Sequence, residues 1–196
     1  MKLRLVAVLV SAALLSACGL NSVPTAEENA KAKWADVQAT YQRRADLIPN
    51  LVATVKGAAQ SEQQILTQVT EARARATSIQ VSADDLTDPA KVEQFQAAQG
   101  ALSTSLGRLL ATVEAYPELK SQANFSTLMS QLEGTENRIA IAIRDYNTAV
   151  QSYNTTIRTF PDAIGAKVFY GAKPMTPFQA KAGADVAPTV DFGAGN

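Results

Sequence analysis

Apolar residues recur every three or four positions along most of the chain. The first series contains Trp34, Val37, Tyr41, Ile48, Leu51 and Val55 and continues to Ile79. The second contains Val92, Phe95, Leu102, Leu106, Leu109 and Val113, and the third repeats every seven residues through Phe125, Leu132, Ile139, Tyr146, Tyr153 and Phe160. This spacing places the apolar residues on one face of a helix, and no strand-like alternation long enough for a sheet occurs. The sequence therefore predicts an all-α fold, an elongated antiparallel up-and-down bundle of long helices.

The number of helical passes depends on whether the first series forms one helix. Pro49 removes one backbone hydrogen bond and should kink a helix, but the apolar residues keep the same phase on both sides of it. Gly57 and a possible cap at Ser61 mark a second place where the helix could end. We expect one kinked helix from about Thr25 to Gln80, and hence three long passes. A break near Pro49 or Gly57 would give four.

Other helix boundaries are indicated by capping residues. Thr25 begins a Thr-Ala-Glu-Glu sequence that is typical of a capping box. An Asp-Pro pair at residues 88–89 predicts the start of the second helix, which should end near Tyr116. The last long helix is predicted over residues 120–158.

Two glycines interrupt the second helix at Gly100 and Gly107. Glycine in a helix interior costs up to about 1 kcal/mol relative to alanine. We therefore expect a neighbouring helix to approach closely at both positions.

The first 17 residues predict a cleaved lipoprotein signal peptide. Lys2 and Arg4 precede an apolar run at residues 5–15, which is shorter than the roughly 20 residues that a membrane span needs. The following Leu-Ser-Ala-Cys sequence at residues 15–18 resembles a bacterial lipobox, whose cysteine carries acyl chains such as palmitate and becomes the new N-terminus. Cys18 is the only cysteine of the chain, so it has no disulfide partner within the chain.

The expected product is a membrane-anchored lipoprotein outside the cytoplasm, with residues 18–24 as its lipidated tether. Gly19, rather than Asp, follows the cysteine, which indicates the outer membrane, facing the periplasm, if the cell has two membranes. The chain has 18 basic and 18 acidic residues, and loss of residues 1–17 removes two basic ones. Without a basic block, nucleic acid is excluded as a partner. The expected partners are the membrane, through the lipid, and an envelope protein of unknown identity.

Candidate catalytic groups are scarce in this sequence. The chain contains no histidine, its one thiol is assigned to lipid, and neither a phosphate-binding glycine loop nor a nucleophile elbow occurs. The Asp pair at residues 84–85 could contact a cation, but an exposed acidic loop before a helix explains it more simply. We expect no catalytic residue, no metal site, no cofactor and no enzymatic activity.

Four polar residues fall on the apolar stripes. They are Arg44, Glu62, Gln99 and Glu136. A buried charge is costly unless it is paired, so we expect Arg44 and Glu136 to form an internal ion pair. The alternative is that these groups line a groove that binds a ligand or partner.

The helical pattern stops after residues 160–161. We expect a docked segment over residues 161–180, in which Phe169, Tyr170 and Phe178 cover the end of the bundle, and a flexible tail over residues 181–196.

Two Tyr-Asn pairs, at residues 146–147 and 153–154, lie seven residues apart on the last helix. Core tyrosines are the simplest interpretation, and a recognition surface is the alternative. Trp34 should anchor the bundle, with contact to the membrane interface left open.

Four stretches of the chain resemble, in the same order, the signature of the bacterial LemA family. They are RRADLIPNLVATVKG at residues 43–57, EAYPELK at 114–120, LEGTENRIAIAIRDYN at 132–147, and the YN…IRTFP run that ends at residue 161. The positions that carry the resemblance include Arg43, Pro49, Asn50, Gly57, Tyr116, Pro117, Tyr146 and Asn147. The resemblance spans roughly residues 34–178. It implies an envelope-anchored helical bundle, here over residues 25–160, without an established catalytic activity. The commoner form of the family keeps a transmembrane helix, whereas this chain has a sequence that resembles a lipobox.

Two functions agree with these observations. The first is a non-catalytic, lipid-anchored helical module that binds or scaffolds other envelope components. The second is a carrier or chaperone that holds a lipid or an unfolded chain between its helices. A large apolar pocket between the first and last helices would favour the carrier, and close-packed helix faces would favour the module.

Overall fold

The computed structural model describes residues 21–58 and 60–179, which form helices and no strand. The helices are α1 (Ser22–Ala58), α2 (Gln63–Ser78), α3 (Pro89–Val113), α4 (Pro117–Lys120), α5 (Ala123–Thr156) and α6 (Asp162–Gly165). Shorter 3-10 turns cover Gln60–Glu62 and Ala83–Thr87, and a π-helical turn covers Ala166–Tyr170. The prediction of an all-α fold is confirmed. The predicted signal peptide, Cys18 and the predicted tail at 181–196 lie outside the described residues.

The four long helices form an up-and-down bundle. Helix α1 packs along α5, and α2 packs along α3. At one end of the bundle, Ser22 Oγ donates a hydrogen bond of 2.7 Å to Asp162 Oδ1, beyond the end of α5. At the other end, the Tyr116 hydroxyl, which follows α3, donates one of 2.8 Å to Glu62 Oε1, just before α2. The helices therefore alternate in direction and make four passes.

The expectation of one helix from Thr25 to Gln80 is wrong, and the alternative of a break near Gly57, which gives four passes, is confirmed. Helix α1 runs without interruption through Pro49 but ends at Ala58, directly after Gly57. The chain then reverses through the 3-10 turn, which the bond from Tyr116 holds in place. The apolar spacing did not reveal this reversal, because an antiparallel pair of helices needs the same three-and-four spacing as one long helix. With 37 residues, α1 is about 55 Å long.

The backbone bond that Pro49 removes is replaced from a neighbouring helix. In an α-helix, the amide of residue 49 would donate to the carbonyl oxygen of Ala45, and proline has no amide hydrogen. Arg73 of α2 instead donates from Nε to that carbonyl, at 2.7 Å. The buried carbonyl therefore keeps a partner, and α1 continues through the proline.

One expected helix start is shifted and another is confirmed. Helix α1 begins at Ser22, so Thr25 lies inside it, and the Thr25 hydroxyl donates to the Asn21 carbonyl oxygen at 2.7 Å instead of capping. The Asp88 cap is confirmed, since its Oδ1 accepts a hydrogen bond of 3.0 Å from the Ala90 amide. Pro89 is the first residue of α3, where its missing amide hydrogen costs nothing.

Two apolar cores lie one above the other in the bundle. The aromatic core contains Trp34, Tyr41, Phe95, Tyr146, Tyr153 and Phe178, together with aliphatic residues such as Val23 and Val92. The mainly aliphatic core contains Ile48, Leu51, Val55, Leu66, Val69, Leu102, Leu106, Leu109, Leu119, Phe125 and Leu132. Helices α1, α3 and α5 contribute to both cores. The bundle is therefore closely packed along its length.

Close helix approach does not explain the glycines of α3. A Cβ atom added at Gly100 or Gly107 would meet no atom within 4 Å. The expectation of a tight helix contact at these positions is wrong, because no neighbouring helix approaches either glycine that closely. Nothing in the structure requires glycine at either position.

Candidate functional site

Arg44 forms the centre of a polar layer between the two cores. Its side chain is 1% exposed. Nη2 donates to Gln99 Oε1 at 2.6 Å and to the Gln99 carbonyl oxygen at 3.3 Å, and Nη1 donates to Ser103 Oγ at 2.8 Å and to Glu136 Oε1 at 3.2 Å. The guanidinium carbon also lies 4.9 Å from the centre of the Tyr41 ring, a cation–π distance. The buried charge is therefore compensated from three sides.

The structure brings together the two residues expected to pair, Arg44 and Glu136, but their environments differ. The Glu136 side chain is 46% exposed, whereas that of Arg44 is buried. The shortest bond of Arg44 goes to the neutral amide of Gln99. The ion pair is thus internal on its basic side only, and much of the arginine's stabilisation comes from Gln99 and Ser103.

The layer joins all four long helices. Arg44 belongs to α1, Gln99 to α3 and Glu136 to α5, and Gln99 Nε2 donates to the Ala76 carbonyl oxygen of α2 at 3.2 Å. Glu62, the fourth polar residue on the apolar stripes, takes no part in it and instead accepts the bond from Tyr116. A hydrogen-bonded layer of this kind fixes the register of the helices, because sliding any one helix would leave a buried polar group without a hydrogen-bond partner.

Residues 172–179, which we call the C-terminal segment, form neither helix nor strand, lie against α5 and are held by two asparagines. Asn147 Oδ1 accepts from the Phe178 amide at 2.8 Å, and Asn147 Nδ2 donates to the Phe178 carbonyl oxygen at 3.0 Å. Asn154 makes the same pair of bonds with Met175, both at 2.8 Å. Each asparagine thus pairs with one residue's backbone as a neighbouring β-strand would.

The spacing of these asparagines fits the segment that they hold. Seven residues of helix rise about 10.5 Å, and the three-residue step from Met175 to Phe178 in an extended chain covers about 10 Å. Tyr146 adds a hydrogen bond of 2.8 Å from its hydroxyl to the Thr176 carbonyl oxygen. The Tyr-Asn repeat therefore has a structural role in this chain, which is to align the C-terminal segment along α5.

Phe178 completes the aromatic core. Its ring centre lies 5.8 Å from that of Trp34, 6.0 Å from Tyr146, 6.3 Å from Phe95 and 6.4 Å from Tyr41. Trp34 is 1% exposed and donates from Nε1 to the Val81 carbonyl oxygen at 2.9 Å. It therefore anchors the bundle and does not reach a membrane surface. Burial in this core raises the pKa of the Tyr146 hydroxyl above its ordinary value.

Two aromatic residues expected to cover the bundle end point outward instead. Phe169 is 69% exposed and Tyr170 is 45% exposed, whereas Phe178 is buried as expected. In the helical turns at residues 162–170, Gly165 and Ala166 take the buried face, which leaves the larger side chains outside. Phe160 is 83% exposed, because α5 ends at Thr156 and the seven-residue repeat no longer describes a helix there.

The remaining positions of the resemblance have local roles or lie on the surface. Arg43 is exposed and, with Arg138, lines an open cleft of about 450 Å³ between α1 and α5. Asn50 is exposed, and its backbone carbonyl accepts a hydrogen bond of 2.8 Å from the Thr54 hydroxyl. Pro117 is the first residue of α4. None of these positions adds a reactive group.

The acidic loop at residues 84–85 caps a turn. Asp85 accepts hydrogen bonds from Lys91 and from the amide and hydroxyl of Ser82. The Lys91 bond and then the Ser82 bonds lower the pKa of the Asp85 carboxyl to about 2. Within residues 21–58 and 60–179, no group of histidine, cysteine or acidic residues is placed to hold a metal ion. No helix in those ranges is both long and apolar enough to cross a membrane.

The four long helices, two stacked cores and one buried arginine layer define an all-α four-helix bundle. A family model described as the LemA family matches residues 33–192, and the chain belongs to this family.

Three curated relatives show the same likeness at lower coverage. Magnetosome protein MamQ 1 of Paramagnetospirillum magneticum and magnetosome protein MamQ of Magnetospirillum gryphiswaldense are each 27% identical over 157 residues, which cover 72% of this chain and 58% of the relative. Protein LemA of Metamycoplasma hominis is 27% identical over 125 residues, or 63% of this chain and 52% of the relative. The chain thus spans little more than half the length of these relatives.

Proposed function

We propose that this chain is a non-catalytic, lipid-anchored protein of the cell envelope that acts by binding or scaffolding other envelope components. The observation that carries the proposal is the position of α1, which begins at Ser22, only four residues after Cys18. A lipid on Cys18 would therefore hold one end of the bundle next to the membrane.

The lipobox sequence supports a location outside the cytoplasm. Gly19 after the cysteine supports the outer membrane, facing the periplasm, in a cell with two membranes. Several acyl chains would hold the protein firmly, because each buried CH₂ contributes roughly 0.8 kcal/mol and one chain alone holds a protein only marginally.

The packing of the helices favours a scaffold over a carrier. A carrier needs an apolar cavity between the helices that can receive a lipid or an unfolded chain. Helices α1 and α5 instead share the side chains of both cores, and the cleft between them beside Arg43 is open and lined by two arginines. Phe178 of the protein's own C-terminal segment occupies the space among the aromatic rings.

The polar layer supports a function that depends on rigidity. Arg44 and Gln99 connect all four long helices at mid-height, and Arg73 connects α2 to the proline turn of α1. A bundle held in this way keeps its shape over the roughly 55 Å length of α1. It would present a partner-binding surface at a defined distance from the bilayer.

Metabolic labelling with an acyl probe tests the anchor. The protein should take up the probe and sediment with membranes, whereas Cys18→Ser and Cys18→Ala should lose both label and sedimentation. The two variants should agree, and circular dichroism should show an unchanged helix content. An unlabelled protein whose Cys18→Ser form remains fully in the membrane would contradict the proposal.

Crosslinking in intact envelopes, followed by mass spectrometry, tests the scaffolding role. A scaffold should give reproducible crosslinks from the exposed faces of the bundle to the same envelope protein in independent preparations. Crosslinks confined to the chain itself and to lipid would contradict binding to a protein partner.

A further inference from the structure

Large apolar side chains are exposed at one end of the bundle. In the part of the chain that the structure describes, six such side chains are exposed, and five of them fall within residues 160–170. We call these five the end patch: Phe160 at 83%, Ile164 at 57%, Val168 at 68%, Phe169 at 69% and Tyr170 at 45% exposed. The sixth is Ile141 on α5, at 49%. Clustered exposure of this kind marks an interaction surface, whereas single exposed residues are ordinary.

The end patch lies at the end of the bundle from which the tether leaves. Asp162, inside the patch, accepts the hydrogen bond from Ser22 at the start of α1. Asn21, the first described residue, is three residues from Cys18, and three residues of chain span at most about 11 Å. A membrane that holds Cys18 is therefore within reach of the end patch.

The chemistry of the end patch suits a phospholipid surface. Ile164 and Val168 are four residues apart in consecutive helical turns, so they share the outward face. Basic residues Arg158, Lys167 and Lys173 lie within or close to residues 160–170 in the sequence, are exposed, and take part in none of the ion pairs within the described ranges. Aromatic and aliphatic side chains flanked by lysine and arginine are typical of protein surfaces that lie in the headgroup region.

We propose that the end patch inserts into the phospholipid surface to which the protein is tethered. The proposal rests on the proposed function for the position of the membrane. A second attachment beside the tether fixes the angle of the bundle, because a single point of attachment would leave that angle free. The bundle then stands with α4, at its opposite end, directed away from the bilayer.

Photo-crosslinking to lipid tests this inference. The protein is purified from cell membranes in detergent, with its native N-terminus, and reconstituted into vesicles of phosphatidylethanolamine and phosphatidylglycerol that contain a phospholipid with a diazirine in its acyl chain. After illumination, mass spectrometry maps the lipid adducts along the chain. We expect the adducts to concentrate in residues 160–170.

Matched serine variants test whether lipid contact depends on the end patch or on any exposed apolar side chain. Val168→Ser combined with Phe169→Ser should reduce the adduct yield in residues 160–170 by more than about tenfold, because the loss of one well-buried apolar side chain alone would have that effect. Val168→Ser alone should reduce it less, and Ile141→Ser should leave it unchanged. All three positions are exposed, so the fold should persist, which circular dichroism checks.

The outcomes distinguish the end patch from the lipid anchor. Vesicle-bound protein with adducts spread evenly along the chain, or with residues 160–170 crosslinked to a second copy, would overturn the inference and leave the anchor intact. Adducts in residues 160–170 on a protein whose N-terminal peptide carries no acyl chain would support the end patch and overturn the lipoprotein assignment. Protein that stays in solution without adducts would overturn the inference, and the mass of its N-terminal peptide would decide the anchor separately.

Discussion

Arg73 supplies the hydrogen-bond donor that Pro49 lacks. The two residues belong to different helices, and they meet at the Ala45 carbonyl oxygen, which Arg73 Nε contacts at 2.7 Å. The proline therefore leaves a carbonyl of α1 available for a bond to α2. A residue that ought to weaken one helix instead attaches it to the next.

This relationship predicts that the effect of Arg73 on stability depends on Pro49. Arg73→Met keeps most of the apolar stem but has no donor, so it should destabilise the protein by about 1–3 kcal/mol, the cost of an unsatisfied buried carbonyl. In a Pro49→Ala background, the amide of residue 49 can bond to Ala45, and the same substitution should cost much less. Urea unfolding of the four proteins gives the coupling free energy.

Arg75 provides the control, because it is an exposed arginine on the same helix. Arg75→Met should change the free energy of unfolding little in either background. Equal costs of Arg73→Met with proline and with alanine at position 49 would show that the hydrogen bond to Ala45 does not compensate the proline.

The asparagines of α5 should stabilise the protein through the backbone of the C-terminal segment. Asn147→Leu removes a donor and an acceptor from Phe178 and should destabilise by about 1–3 kcal/mol. Asn147→Asp can still accept a hydrogen bond from the Phe178 amide but cannot donate one to its carbonyl oxygen. Its free energy of unfolding should therefore lie between those of the wild type and Asn147→Leu. Asn137→Leu, at an exposed position of the same helix, serves as the control. Hydrogen exchange at residues 175–178 is the second readout, and unchanged protection in Asn147→Leu would contradict this role.

Arg44 should be more important for stability than its acidic partner. Arg44→Met leaves the buried Gln99 amide without its shortest bond and should destabilise by about 1–3 kcal/mol. Glu136→Gln should cost less than about 1 kcal/mol, because Glu136 is nearly half exposed and solvent screens the pair. Adding Gln99→Met to Arg44→Met should recover part of the lost stability, because the buried amide that Arg44→Met leaves without its partner is then also removed. A larger loss from Glu136→Gln than from Arg44→Met would contradict this order.

Replacing glycine by alanine should raise the stability of the protein at two positions and lower it at a third. Gly100→Ala and Gly107→Ala should each stabilise the protein by up to about 1 kcal/mol, because alanine favours the helix and its methyl group meets no neighbour. Gly171 has a φ of +54°, which alanine tolerates poorly, so Gly171→Ala should destabilise by about 1 kcal/mol. Thermal unfolding of the three variants measures the difference, and a loss of stability in Gly100→Ala would contradict the open space seen there.

Alkaline pH should destabilise the bundle through Tyr146. Burial raises its pKa in the folded protein, whereas an unfolded tyrosine titrates near pH 10. The stability that the protonated Tyr146 contributes is therefore fully present below about pH 10. It is lost as the pH rises further, because the unfolded chain then releases the tyrosine proton first. Urea unfolding between pH 8 and pH 11 should show this decline, and it should be shallower in Tyr146→Phe. The same slope in both proteins would contradict the assignment to Tyr146.

Local patterns predicted much of this structure. The apolar series marked the faces of α1, α3 and α5, the Asp88 cap marked the start of α3, and counting along the stripes placed Arg44 and Gln99 on interior faces. These features depend on residues close together in sequence. The reversal after Gly57 was only an alternative in the sequence, because one long helix and two antiparallel helices share the same apolar spacing.

Local sequence patterns could not predict the contacts between residues that are distant in the sequence. Nothing near Arg73 indicates that its donor serves a carbonyl 28 residues earlier. The Tyr-Asn repeat was visible, but its purpose depends on Met175 and Phe178, which lie more than 20 residues later in a segment without a regular pattern. Only the folded geometry shows that seven residues of helix match three residues of extended chain.

Phe178 makes the aromatic core depend on residues far along the chain. The aliphatic core draws its residues from positions 48–132, whereas the aromatic core also needs Met175 and Phe178. Such distant pairings form slowly. A chain cut short before these residues would keep Trp34 and its neighbours uncovered, which would make unfinished copies recognisable to quality-control proteases.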